Sequence, residues 1–168
     1  LPISSVQLAA LTVLSGAPGV VVADAGSVAY RVTWCKKDAQ GIVMEGAPSS
    51  RTVIFNNTRT SGWVTTVTKD VTCRIIIPRA LNTTNTALTT SYFWRLYRSA
   101  EAGVGIVPSD DMNLVAEGFL TAGQITARYV DVTDSTPEAF RALGPALYTN
   151  PNIGVENGVG GPGEAQAN

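Results

Sequence analysis

The sequence predicts an all-β protein, an antiparallel β-sandwich with a short late helix and extended termini. Three observations predict it. The chain holds 19 Val, 19 Thr and 16 Gly but only three Lys, a balance of branched and turn residues that suits strands. Short strand-like runs bounded by turn residues recur from one end to the other. No long helical pattern separates them, which favours antiparallel sheets packed face to face over a parallel sheet with crossover helices. At 168 residues the chain is one domain in size. A core of that size buries about 70% of the unfolded surface and needs no metal or disulfide staple.

The strand candidates, in order, are 6–13, 20–22, 28–36, 42–44, 52–55, 64–67, 72–77, 92–99, 113–117 and 127–132. The apolar stretch from Val6 to Val22 is broken by Ser15-Gly16-Ala17-Pro18-Gly19 and reads as two strands around a bend. Lys37-Asp38-Ala39-Gln40-Gly41 reads as a hairpin loop in which Gly41 supplies a positive φ, and Gly46-Ala47-Pro48-Ser49-Ser50 as the next corner. The one helix signal is late. Asp134-Ser135-Thr136 offers capping oxygens, Pro137 fits the first turn and Gly144 stops a helix over 137–143. The expected organisation is an N-terminal strand and arm over 1–26, a sandwich over 27–149 and a Gly-rich arm or linker over 150–168.

Charge and composition narrow the function. Lys plus Arg is 12 and Asp plus Glu 13, for a net charge of −1, and charged residues are 15% of the chain. There is no basic footprint for nucleic acid or for an anionic membrane, and neither partner is expected. The chain opens Leu1-Pro2-Ile3 without a basic leader or a membrane-length apolar run, and is expected to be a processed or excerpted piece. The absence of histidine removes the commonest general acid–base group and zinc ligand.

Alternation along 28–36 puts Val28, Tyr30, Val32 and Trp34 on the inner face and Cys35 outward, while Cys73 shares the inner parity of Val71, Ile75 and Ile77. An outward and an inward cysteine on different strands do not bridge readily, so two free thiols are expected. Neither has a histidine partner for nucleophilic chemistry. Asp110-Asp111 and the pair Asp131 and Asp134 supply the two carboxylates that glycoside hydrolysis or a hard cation requires. The structural reading is favoured. Asp110 and Asp111 suit a turn, Asp134 a helix cap or its neighbour, and Asp131 an outward strand end. The glycines from 158 to 163 follow no strand and open no helix, so they are not a phosphate loop. No catalytic residue, metal site or cofactor is assigned, and the chain is expected not to be an enzyme.

The aromatic residues concentrate in Tyr92-Phe93-Trp94-Arg95-Leu96-Tyr97-Arg98. One reading is a stacking platform for sugars or single-stranded nucleic acid. The favoured one is a central strand covered on one face by the core and on the other by a neighbouring subunit or an extra segment. Trp63, Tyr92, Trp94 and Tyr97 are the candidate interaction surface.

Several ordered segments carry a resemblance. They are Ala29-Tyr30-Arg31-Val32-Thr33-Trp34 with Lys37-Asp38-Ala39-Gln40-Gly41; Gly46-Ala47-Pro48-Ser49; Phe93 to Ser99 with Pro108-Ser109-Asp110-Asp111-Met112-Asn113-Leu114; and Tyr129 to Asp134 with Leu147-Tyr148-Thr149-Asn150-Pro151. Together, over roughly residues 28 to 151, they resemble the fibronectin type III or immunoglobulin-like module of large virion structural proteins of tailed bacteriophages. The resemblance implies an immunoglobulin-like sandwich and a structural subunit of the tail or neck, located in the virion. Its implied partners are other virion proteins and copies of itself, as a homo-oligomer joined through sheet faces and extended arms. The alternative is a surface carbohydrate-binding module. A hydrolase using the acidic pairs is a third, weaker reading.

Overall fold

A computed structural model describes residues 7–8, 13–57, 67–77 and 89–147. Its elements are β1 (Gln7–Leu8), β2 (Val13–Val22), β3 (Ser27–Lys37), β4 (Val43–Glu45), β5 (Thr52–Phe55), β6 (Lys69–Ile76), β7 (Tyr92–Ser99), β8 (Met112–Phe119), α1 (Ala122–Ala127), β9 (Tyr129–Asp134) and α2 (Glu138–Arg141). They form two antiparallel sheets. In the first, β6 is central, with β1 and β2 pairing with it and β9 joined to it from Val71↔Asp134 to Ile76↔Tyr129. In the second the order is β4-β3-β7-β8, with β5 beside the first half of β3. The expected all-β antiparallel sandwich is what the chain forms.

Period-2 alternation builds the core. Val28, Tyr30, Val32 and Trp34 of β3 and Trp94 and Leu96 of β7 meet Val71, Cys73 and Ile75 of β6 and Val130 of β9. Val21 and Val22 of β2 join them, and Ile125 of α1 packs against the cluster. β8 approaches β7 so closely at Gly118 that a Cβ there would lie 2.9 Å from the Trp94 ring, so glycine is what admits the indole.

Several local expectations are corrected. Pro18 does not mark a bend between two strands; β2 continues from Val13 to Val22 and absorbs Pro18 as a register shift against β6. Residues 46–50 are not a corner. They run along the edge of β3, where Gly46 N donates to Trp34 O and Ser49 N to Val32 O, while the Ser49 hydroxyl accepts from Val32 N. The loop after Lys37 is as expected, with Gly41 at φ 85° and Asp38 Oδ1 accepting from the amides of Gln40 and Ile42. Ala127 ends a helix instead of opening a strand. α1 carries a capping box between Thr121 and Gln124, a T-x-x-Q signal the strand pattern concealed. α2 spans only Glu138–Arg141, with Pro137 at its N-cap and no side-chain cap. Most of the 64–67 strand candidate, and the Tyr148-Thr149-Asn150-Pro151 element, lie outside the described residues.

After α2 the chain turns back along β8. Asn113 Nδ2 donates to Gly144 O, Leu114 N to Pro145 O, and Leu147 N to Met112 O. A Cβ on Gly144 would sit 2.3 Å from the Leu114 carbonyl oxygen, and backbone cannot yield as a side chain can. Gly144→Ala is therefore expected to peel this strap from β8 at a cost of ~1–3 kcal/mol. Faster hydrogen exchange at the Leu114 and Leu147 amides is the check; unchanged protection would contradict it.

Candidate functional site

The outward residues of β3, β7 and β8 form the second face of the larger sheet. Registers Thr33↔Arg95, Cys35↔Phe93, Arg95↔Glu117 and Phe93↔Phe119 place them in rows across the strands. The face divides into two halves. Near the chain's C-terminal strap, Ala29, Tyr97 and Met112 are buried and Leu114 and Leu147 pack on them. An extra segment of the same chain thus helps cover this half. At the other end of β7 the Phe119 ring leans on Phe93 with centroids 5.1 Å apart, beside a partly open groove of about 310 Å³ bounded by Lys37, Val43, Phe93 and Phe119.

Polar links hold the middle of the face. Glu45 of β4 accepts hydrogen bonds from Thr33 and from the Tyr97 hydroxyl. Arg95 lies 3.1 Å from Glu117 and 3.5 Å from Glu45. Burial, followed by the hydrogen bond to Glu45, pushes the Tyr97 phenol well above its usual value. The three candidate surface residues that the structure describes do not form one exposed patch. Trp94 points into the core and is only 7% exposed. Tyr92, half-buried, packs on the edge of that core with the Lys36 ammonium 5.2 Å from its ring. Tyr97 is on the outer face but buried, and Trp63 lies outside the described residues.

The acidic candidates each have a local role or stand apart. Asp110 lies 3.4 Å from both Arg31 and Arg51, and Asp111 is exposed. Asp131 forms a two-pronged pair with Arg74, whose hydrogen bonds draw the carboxyl below its ordinary range. Asp134 is buried, which corrects its expected role as a helix cap. Its Oδ2 accepts from Arg98 Nη1 at 2.7 Å and from the Tyr30 hydroxyl at 2.8 Å, and its Oδ1 from Thr136 N at 3.0 Å. Arg98 and Tyr30 belong to one sheet and Asp134 to the other, so the cluster bolts the two together through the core. Burial first, and then the Asp134 charge, raise the Tyr30 phenol far above its usual value. The residues of this bolt were missed as a unit. Arg98 shares the inward parity of Tyr92, Trp94 and Leu96, and Asp134 that of Val130 and Val132, a signal of two opposite charges both facing inward.

Both cysteines are free and buried. Cys73 faces the core as expected. Cys35 faces the opposite way as expected, yet it is fully buried because β4 and Phe93 flank it. Burial raises the Cys35 thiol from 9.0 to about 11 and pushes Cys73 higher still. The folded state thus holds these protons, and those of Tyr30 and Tyr97, more tightly than the unfolded chain. Their contribution to stability is complete below pH 9 and is lost as the pH climbs through the folded-state values. The melting temperature is expected to fall above pH 9, and a thiol reagent at pH 8 to label neither cysteine until denaturant is added. Labelling of the native protein would contradict the burial.

Among the described residues no group of three or more His, Cys, Asp or Glu gathers as a metal site, and no helix is long and apolar enough to cross a membrane. Compared with protein-family models, with curated proteins and with solved structures, the chain matches none.

Proposed function

We propose that the chain is a structural subunit of a tailed-phage virion, a tail or neck component that assembles with copies of itself and with other virion proteins. The observation that carries this is the order of strand pairing. β2 pairs with β6, β3 with β7, and β7 with β8, while the chain crosses between sheets after β2, β5, β6 and β8. That order supports an immunoglobulin-like or fibronectin III-like module, in which sheets and loops serve as a rigid frame for contacts. Two further features support an assembling role. The strap over 144–147 extends an edge of the larger sheet, and large apolar side chains are exposed at both ends of the sandwich.

The test is direct. Peptides of this chain are expected in purified particles of the phage whose genome encodes it, at a fixed ratio to the other particle proteins. Their absence from washed particles would overturn the proposal.

A further inference from the structure

The connection from β7 to β8 ends in an unusual tip. Val104, Ile106 and Val107 are 73%, 63% and 72% exposed, in the turn Gly103-Val104-Gly105-Ile106-Val107. The turn is closed by Ile106 N donating to Gly103 O, with Gly105 at φ 73°. Its base is pinned on all sides. Ala102 and Ser27 exchange backbone hydrogen bonds, Glu101 accepts from Ala23 N at 2.6 Å, and Arg51 donates to Pro108 O at 2.6 Å. Three branched apolar side chains are thus presented to water from a braced support, an arrangement that lowers the entropic cost of docking them.

The groove beside Phe119 lies at the opposite end of the same sheet. It flanks the start of β7, at Phe93, whereas the apolar tip lies beyond the end of β7, at Ser99. Its walls include Val43, Phe93 and Phe119, the last 56% exposed, together with the ion-paired Arg95 and Glu117. The two ends also differ in charge. Lys37 stands at the groove and Asp111 at the base of the apolar tip, both exposed and neither in an ion pair among the described residues.

We infer that the occupant of the groove is a second copy of this chain, whose Val104, Ile106 and Val107 enter it while its Asp111 approaches Lys37. Such a contact is heterologous. It joins head to tail, leaves one free tip and one free groove at the ends, and so propagates into a ring or a filament. The inference rests on the assembling role proposed above and names the surfaces that carry it. A contact of this size is weak on its own and gains strength from repetition along a ring or row.

The experiment is sedimentation of the full chain up to ~1 mM, a range that reveals even weak contacts. The variants are Ile106→Asp, which spoils the tip, and Phe119→Asp, which spoils the groove. Both residues are exposed, and thermal melts verify that the variants fold. The wild type is expected to grow beyond a dimer with concentration and each variant to stay monomeric. An equimolar mixture of the two is expected to stop at a dimer, because one intact tip meets one intact groove. Should Phe119→Asp fail to fold, Lys37→Glu takes its place, with Asp111→Lys in the partner expected to restore association. Growth that persists in both variants would overturn the tip-and-groove contact while leaving self-assembly intact. A wild type that is monomeric throughout would overturn both. Protease sensitivity gained at residues 78–88 in Phe119→Asp, with no change in mass, would mean the groove is filled from within its own chain and would also overturn the contact.

Discussion

Asp134→Ala is expected to destabilise the protein by ~3–5 kcal/mol, a large share of the stability of any single domain. The carboxylate is fully buried and holds Arg98, itself fully buried, at 2.7 Å. Removing it leaves the guanidinium in the core, with Glu138 3.7 Å away as its nearest remaining acid. Arg98 Nε and Nη2 already lack hydrogen-bond partners, so little is left to compensate the charge. The same logic gives the companion result. Replacing the whole cluster, as Arg98→Met with Asp134→Leu and Tyr30→Phe, is expected to restore stability to near the wild type, because a buried ion pair repays its desolvation only in part. Chemical denaturation of the single and triple variants checks both. A single variant within ~1 kcal/mol of wild type would show that the two sheets are not bolted through this pair.

Trp94→Ala is expected to cost ~3–5 kcal/mol, the price of emptying a large aromatic site in a packed core. Trp94 faces Trp34 across β3 and β7, and its ring lies against the backbone of Gly118. A tryptophan serving as an exposed sugar platform would behave otherwise, since surface substitutions usually stay within ~0.5 kcal/mol. Urea denaturation separates the two outcomes without any ligand. A loss below ~1 kcal/mol would return Trp94 to the surface and revive the carbohydrate-binding alternative.

The sequence made the sheets legible because alternation is a local signal. The inner set Val28, Tyr30, Val32 and Trp34 and the opposite orientation of Cys35 and Cys73 follow from parity alone. Cover is not local, and there the sequence was mute. Cys35 is outward yet buried because β4, contributed by residues ten positions later, lies beside it. Tyr97 is outward yet buried because Glu45 of β4 and Met112 and Leu114 of β8 close over it. The apparent bend at Pro18 failed for a related reason. A proline at a register shift on the edge of a sheet forfeits no ladder hydrogen bond, so the strand runs on. The inward pair of Arg98 and Asp134 was legible in principle, but its members lie 36 residues apart on strands of different sheets, and only the packing of one sheet on the other brings them together. The exposure of the apolar tip at 104–107 is a property of the fold, which no local pattern announces.

The claim on which the rest depends is that this sandwich works by holding neighbours. The most direct measurement is an electron cryomicroscopy map of the virion in which the chain is proposed to reside. The account predicts two-sheet density at repeated positions, with Val104, Ile106 and Val107 of one copy buried against the Phe93 and Phe119 groove of the next. Density in which every copy stands alone, with both surfaces facing solvent, would contradict it.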